Sequence, residues 1–382
     1  MSTSTRADMS KEEVEQIGNE LGLDPSVGSA YAAVLSGPHI IVDDDLEQLL
    51  QLMSHEIVAD DVEHERRLRR KYVLAIGLRF LTQGERLSCT TERLLARFNE
   101  TYGVYVPETL EVELPYGARL ECYMREYVQM QMWLYGGYEP TESYLVCSSV
   151  NESTCMVDAG ANIGQYTIQV GKCLGLEGSV HAFEPAKDNY SRLARNVANN
   201  GLSNRCVINQ MALSDQKIWC ETVLPEECQG EFPNHGAFYI REVPESTANA
   251  VTSIDLDTYC DKRRLHKVDL MKIDVEGNEV KVLAGARRII GKSRPMIVME
   301  VNRRALERVG SSLEDLSAEV YSLGLNAIRI GNSSRECEKL EGLTGIEFSN
   351  VLLYKDTLPA IMSQEWDQAS VQKWITTSNG RR

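Results

Sequence analysis

Apolar and polar positions along the chain fall into two regimes. Through residue 110 the apolar side chains recur at helical spacing. Ser10 and Glu13 form a capping box ahead of Val14, Ile17 and Leu21. Gly22-Leu-Asp-Pro25 closes that segment and opens another, with Tyr31, Val34 and Leu35 as its apolar members. Asp43-Asp44-Asp45 precedes Leu46, Leu49, Leu50 and Met53, where a helix N-terminus stabilises anions. From residue 155 short apolar runs of strand length alternate with helical segments. The runs are Cys155–Val157, Ser179–Phe183, Cys206–Met211, Val268–Ile273, Pro295–Glu300, Ala327–Ile330 and Val351–Tyr354. Helical patterns cover Tyr166–Cys173, the segment of Leu193 and Val197, Val280–Ile290 and a long stretch to Leu323. About forty residues before Ser253 interrupt the alternation, with strand-like Ile218–Leu224 and Ala237–Ile240. Between the regimes, Tyr123, Tyr127, Trp133, Tyr135, Tyr138 and Tyr144 crowd around Gly136-Gly137-Tyr138-Glu139-Pro140. The pattern predicts four parts: an acidic helical segment 1–110, a helical lid or linker 111–150, an α/β domain 151–360 and a C-terminal tail 361–382.

Charge sharpens that division. The 382 residues carry 40 Lys and Arg against 56 Asp and Glu, a net −16. Residues 1–65 hold 15 of the acids and only Arg6 and Lys11 as bases, so −13 belongs to them. The rest of the chain is close to neutral. Such a balance argues against a duplex nucleic-acid partner held by phosphate neutralisation. It points instead to a protein partner or self-association through residues 1–110. The Arg66–Lys71 cluster follows acidic residues along one helix, as the macrodipole favours. His39, His55 and His64 have no Cys or carboxylate partners at ligand spacing and read as structural. The N-terminus lacks the apolar stretch of a signal peptide, and no run reaches the ~18 apolar residues of a membrane span. Ten scattered cysteines with no C-x-x-C pair read as reduced core thiols of a cytoplasmic protein.

The chemistry concentrates after Cys155. The strand there runs into Asp158-Ala-Gly160-Ala-Asn162-Ile-Gly164, then a helix, then a strand ending in Phe183-Glu184-Pro185. Strand, glycine turn, helix and strand with a terminal acid make a nucleotide-binding βαβ unit. A dinucleotide fingerprint would begin with glycine; here Asp158 stands first, and its carboxylate would repel a pyrophosphate. That disfavours a nicotinamide-dependent oxidoreductase. An acid at that position suits S-adenosylmethionine, which has no phosphate and carries a sulfonium and an ammonium. Gly160 is expected to let the backbone approach the cofactor, and Gly164 to permit close turn–helix packing. Glu184 is expected to accept two hydrogen bonds from the ribose hydroxyls. Asn162, Pro185, Ala212 and the lid residue Glu139 complete the expected cofactor set.

On these residues the sequence resembles the FkbM-type family of S-adenosylmethionine-dependent methyltransferases. The resemblance covers roughly residues 125–355. It rests on Val157-Asp-Ala-Gly-Ala-Asn-Ile-Gly164, Ala182-Phe-Glu-Pro185, Ala212-Leu-Ser-Asp215, Ser253-Ile-Asp255 and Lys272-Ile-Asp-Val-Glu-Gly-Asn-Glu279. It implies a Rossmann-like sheet of seven strands with the last antiparallel. It also implies O-methylation of a hydroxyl on a small molecule or glycan. The acidic segment lies outside the match, and the forty-residue insertion exceeds what the family pattern needs.

Methyl transfer to a hydroxyl needs alignment of oxygen, methyl and sulfur, and removal of the hydroxyl proton. Asp274 and Glu276 leave the end of the fourth core strand, where open α/β sheets place ligands. They are the first candidates for chemistry. His235, among loop formers in the insertion, is a candidate base; Glu300, at the end of the fifth strand, is another. Glu279 is a candidate either for the site or for capping the next helix. Asp274 with Glu276 or Glu300 offers hard oxygen ligands for Mg²⁺, although no dense ligand cluster demands it. Asp274-Val-Glu-Gly replaces the Asn/Asp-Pro-Pro-aromatic string that would stack a nucleobase. The competing reading is a methyltransferase-fold adaptor without catalysis, recruiting a partner through residues 1–110.

Overall fold

The computed structural model describes residues 109–123, 126–135, 137–229, 233–244 and 250–377. The helical pattern expected up to residue 108 lies outside the described residues. The described part opens with a hairpin: β1 (Thr109–Leu114) pairs antiparallel with β2 (Ala118–Tyr123). Thr-Leu-Glu-Val-Glu-Leu and Ala-Arg-Leu-Glu-Cys-Tyr alternate at period two, which buries Val112, Leu114, Leu120 and Cys122 on one face. The expectation of a helical 111–150 is therefore corrected over its first third. Among the described residues there, α1 (Tyr127–Tyr135) and α2 (Pro140–Ser148) are the α-helices.

Strands and helices then alternate: β3 (Cys155–Ala159), α3 (Gln165–Cys173), β4 (Ser179–Phe183), α4 (Lys187–Asn199), β5 (Cys206–Asn209) and β6 (Ala212–Leu213). The insertion supplies β7 (Trp219–Val223) and β8 (Tyr239–Glu242), and β9 (Val251–Ile254) follows. After them come α5 (Leu256–Arg263), β10 (Leu270–Ile273), α6 (Glu279–Ala284), α7 (Arg287–Ser293) and β11 (Met296–Asn302). The chain closes with α8 (Arg303–Arg308), α9 (Leu313–Ser322), β12 (Asn326–Arg329), β13 (Glu338–Leu340), β14 (Phe348–Tyr354) and α10 (Gln368–Thr377).

The main sheet has the order β13-β12-β14-β11-β10-β3-β4-β5. β5, β4, β3, β10 and β11 run parallel, and β14 inserts antiparallel between β11 and β12. These seven strands form the Rossmann-like methyltransferase sheet. An eighth, three-residue strand (β13) extends the edge beyond the expected seven, and its exposed Glu338 and Lys339 blunt it against further pairing. The order reverses between β3 and β10, so the crevice at their carboxyl ends is the topological switch point where such sheets bind ligands. Apolar residues of β3, β10, β11 and β14 form the core with α5, α6, α7 and α9, among them Val157, Met271, Ile297, Leu353, Leu283 and Leu316.

Two helices expected as continuous are broken. α6 ends at Gly285, where a Cβ would lie 2.1 Å from the Ser214 carbonyl oxygen, and Asp257 accepts from the amides of Arg288 and Ile289 to start α7. The long helix to Leu323 stops at Gly310, at φ 79°, and restarts as α9 behind the Ser312–Asp315 capping box. The segment expected as a tail is docked through residue 377. Trp366 and Val371 are buried, and Trp374 Nε1 donates to the Tyr116 hydroxyl at 3.1 Å.

Candidate active site

The turn after β3 is pinned before any ligand arrives. The amides of Gly160 and Ala161 both donate to the Phe183 carbonyl at 3.0 Å. Gly160 sits at φ 82°, and a Cβ there would lie 1.7 Å from the Asp274 carbonyl oxygen. Its glycine is required by the close approach of this turn to the end of β10, and the residue also lines the crevice. Gly164, at φ 102°, abuts Leu193 of α4, the turn–helix contact its spacing suggested. The amide of Asn162 donates to Glu184 Oε2 and that of Ala186 to Glu184 Oε1, both at 2.8 Å. Glu184 is thus oriented by two backbone donors, with one acceptor site left on each oxygen. Burial pushes its pKa up to about 7, against those hydrogen bonds.

Asp158 is placed differently from its expectation. Its Oδ2 accepts from Thr167 Oγ1 of α3 at 2.6 Å, and the buried carboxyl does not line the crevice. Burial raises its pKa to about 6. The acid facing the crevice comes from elsewhere: Glu139 ahead of α2, Asp274 and Glu276 beyond β10, and Glu300 in β11. Glu139 is brought in by the lid. Gln165, first in α3, accepts from the Tyr138 amide at 2.8 Å and donates through Nε2 to the Tyr138 carbonyl and to Ser143 Oγ. That brace holds Glu139 in left-handed backbone at φ 48°.

At the centre lies Lys272, one of the largest fully buried side chains of the described residues. Its Nζ is 3.3 Å from Glu139 Oε2 and 3.3 Å from Asp274 Oδ2, and 5.3 Å from the centre of the Tyr166 ring. The Tyr166 hydroxyl donates to Glu139 Oε2, and Asn350 Nδ2 of β14 donates to both Glu139 and Glu142. Burial opposes the ammonium, but Asp274, Glu139 and Glu300 together hold it charged. Burial likewise works against ionised Glu139, and Lys272 with Asn350 overcomes it, so Glu139 stays below the usual carboxylate range. Asp274 and Glu300 are raised by burial, Glu300 strongly and further by Asp274. Glu276 is pushed up to about 8 by burial and by Asp274. One buried cation therefore faces an excess of carboxyl groups. Glu139, Asp274 and Glu300 place carboxylate oxygens within 4.8 Å of one another, and the Lys272 ammonium already bridges two of the three.

The crevice encloses about 970 Å³ free of protein atoms, counted to its open mouth. Gly160, Asn162, Glu184, Pro185, Ala212, Glu139, Asp274, Glu276 and Glu300 line it together. Three expected residues do not: Asp158, Gly164 and His235. The His235 ring stacks on Phe238 at 5.7 Å, and its backbone is held by Glu126 and Asn189. The imidazole is therefore not presented as a base, although its neighbours Asn234, Gly236 and Phe238 are lining residues. Glu279 accepts from the amides of Gly277 and Val275, which makes it a clamp on the loop after β10. Of the aromatic cluster, Tyr138 lines the crevice while Tyr144 packs on Trp366 and Trp374.

Lys272, Gln165 and Asn350 are the residues sequence reasoning left unassigned. Lys272 carried a signal: a charged residue inside Leu270-Met-Lys-Ile273, a strand buried along its whole length, is costly unless paired. Gln165 and Asn350 carried none, because their partners lie 27 and 211 positions away.

The doubly wound sheet and the acid-rich crevice at its switch point are the architecture expected of an α/β methyltransferase domain. Residues 158–325 match the family model described as the Methyltransferase FkbM domain. Methyltransferase sdnD of Sordaria araneosa is 27% identical over 154 aligned positions, covering 34% of this chain and 59% of that relative. The chain thus spans less than two thirds of the relative's length. Among solved structures, a methyltransferase FkbM from Methylobacillus flagellatus KT shares 17% identity, with 89% of this chain and 69% of that one covered at TM-score 0.35. The M. jannaschii TYW2 structure in complex with AdoMet shares 14%, covering 65% and 84% at TM-score 0.34. No helix among the described residues is long and apolar enough to cross a membrane.

Proposed function

We propose that this protein is an S-adenosylmethionine-dependent O-methyltransferase acting on a hydroxyl of a small molecule or glycan. The observation that carries the reading is the crevice itself: five lining carboxyl groups, from Glu139, Glu184, Asp274, Glu276 and Glu300, share it with one doubly paired Lys272. Such a site favours a ligand bearing cationic groups and disfavours a phosphate. Two buried lining atoms, Asn162 Oδ1 and Asn189 Oδ1, have no hydrogen-bond partner among the described residues and fit a polar, hydroxyl-bearing ligand.

When bound, S-adenosylmethionine supplies a methyl group on a sulfonium that is already a good leaving group. The chain's own residues orient and neutralise. Glu184, fixed by two amides, offers its remaining acceptor sites to ribose hydroxyls. Glu139 and Asp274 attract the ammonium and sulfonium. Lys272 lies between them and favours their ionised forms against burial. Glu276, with a pKa near 8, is a strong base for a carboxylate once ionised, and it takes the acceptor's proton. The Lys272 ammonium supplies positive charge between Glu139 and Asp274, two of the three clustered carboxylates. The adaptor reading depends on residues 1–110, of which all but two lie outside the described residues.

The test is calorimetric binding of S-adenosylmethionine, followed by transfer of labelled methyl to a metabolite extract. Saturable binding by wild type and by Glu276→Gln, with transfer lost only in the variant, is the expected result. Failure of the wild type to bind sinks the proposal.

A further inference from the structure

The insertion between β6 and β9 is not absorbed by the fold or by the chemistry above, yet it reaches the crevice. β8 alternates at period two: Phe238 and Ile240 line the crevice, and Tyr239 faces away from it. Tyr239 meets Arg308 of α8, whose guanidinium carbon lies 5.5 Å from the ring centre. The same guanidinium donates through Nη2 to Glu227 Oε1 of the insertion at 2.7 Å. Its Nη1 is buried, makes no hydrogen bond among the described residues, and lies 4.0 Å from Glu276 Oε2. The Glu276 loop is itself held close to α8, since a Cβ on Gly277 would lie 2.2 Å from the Ala305 carbonyl oxygen.

We propose that Arg308 is a positioning residue: one arm latches the inserted wall that carries Phe238 and Ile240, and the other faces the Glu276 carboxyl. Wall and carboxyl then keep a fixed register on either side of the bound ligands. The inference rests on the methyltransferase reading for its ligand, but the latch itself is a property of the free protein. Arginine suits this role because its planar fork addresses two partners at once, which a lysine ammonium cannot match. Glu227 is two-thirds exposed and does not line the crevice, so changing it loosens the latch without altering the lining.

Two measurements test it on the full chain: amide hydrogen exchange of residues 233–242 in the free protein, and the dissociation rate of S-adenosylmethionine followed by stopped flow. In Arg308→Met, exchange of 233–242 is expected to rise at least tenfold while β3 and β4 stay protected, and the cofactor is expected to leave at least fivefold faster with little change in its on-rate. Arg308→Lys should fall between wild type and Arg308→Met. Glu227→Gln should reproduce part of both effects, and the double variant should exceed Arg308→Met by little. Unchanged exchange in Arg308→Met, or fully additive effects of the two substitutions, overturns the latch. Raised exchange in a protein whose wild type binds no cofactor upholds the latch and rejects the methyltransferase reading.

Discussion

Lys272 shows how one side chain sets the character of a site. A buried ammonium between two carboxylates leaves the crevice anionic without leaving two like charges in direct conflict. Removing one partner exposes the other to the full cost of burial. Asp274→Asn is therefore expected to weaken S-adenosylmethionine at least roughly tenfold, about 1.4 kcal/mol. Asp158→Asn keeps an acceptor for Thr167 and loses no group from the lining, so its affinity should stay within about threefold of wild type. Titration calorimetry on both variants separates the two acids. Equal losses would return Asp158 to the cofactor set. From sequence, both were strand-end acids ahead of a glycine loop. The contact of Asp158 with Thr167 on α3 and that of Asp274 with Lys272 distinguish them.

At the scale of elements, the lid and the insertion are tied through Glu126. This buried carboxyl accepts from the amide of Gln129 in α1 and from the amide of His235 in the insertion, and the Tyr127 amide donates to the Pro233 carbonyl alongside. Burial pushes its pKa up to about 7, against those hydrogen bonds. Glu126→Ala strands two amides and should cost about 1–3 kcal/mol of stability, read from urea denaturation. A loss below about 0.5 kcal/mol would mean that water replaces the carboxyl without penalty. Most elements of the α/β part were legible as alternating strand and helix patterns. The β1–β2 hairpin was missed although its alternation is plain, because the aromatic residues that follow drew the reading toward helix. The break between α6 and α7 was not legible, since what ends α6 is the Ser214 carbonyl from a distant segment.

Over the whole molecule, many acids are buried with raised pKa values: Asp158 to about 6, Glu126, Glu142, Glu184 and Glu279 to about 7, and Glu276 to about 8, in each case chiefly by burial. Each binds its proton more tightly folded than unfolded. Between the unfolded carboxyl range near 4.5 and about 8 the native state holds more protons, so stability falls as pH rises through that window. Thermal denaturation of the free protein should show its midpoint dropping from pH 5 to pH 8. A cation in the crevice favours the ionised acids. Binding of S-adenosylmethionine near pH 7 should therefore release protons, seen as a dependence of calorimetric enthalpy on the buffer's ionisation heat. S-adenosylhomocysteine, without the sulfonium charge, should release fewer. A midpoint that rises with pH, or equal proton release by the two ligands, would contradict this account of the crevice.

The sequence by itself determined the sheet-forming alternation, the βαβ unit with Glu184 at its second strand end, and the loop of Asp274 and Glu276. These are local patterns, and their partners lie within one supersecondary unit. It also placed the charge step that sets residues 1–65 apart. Only the tertiary structure decided which acids face the ligand, because that depends on which strand and helix ends converge at the switch point. It turned Asp158 and His235 away, drew Glu139 in through the Gln165 brace, and set Lys272 among the carboxylates. Burial and long-range hydrogen bonds fix those orientations, and neither is written in the spacing of a single segment.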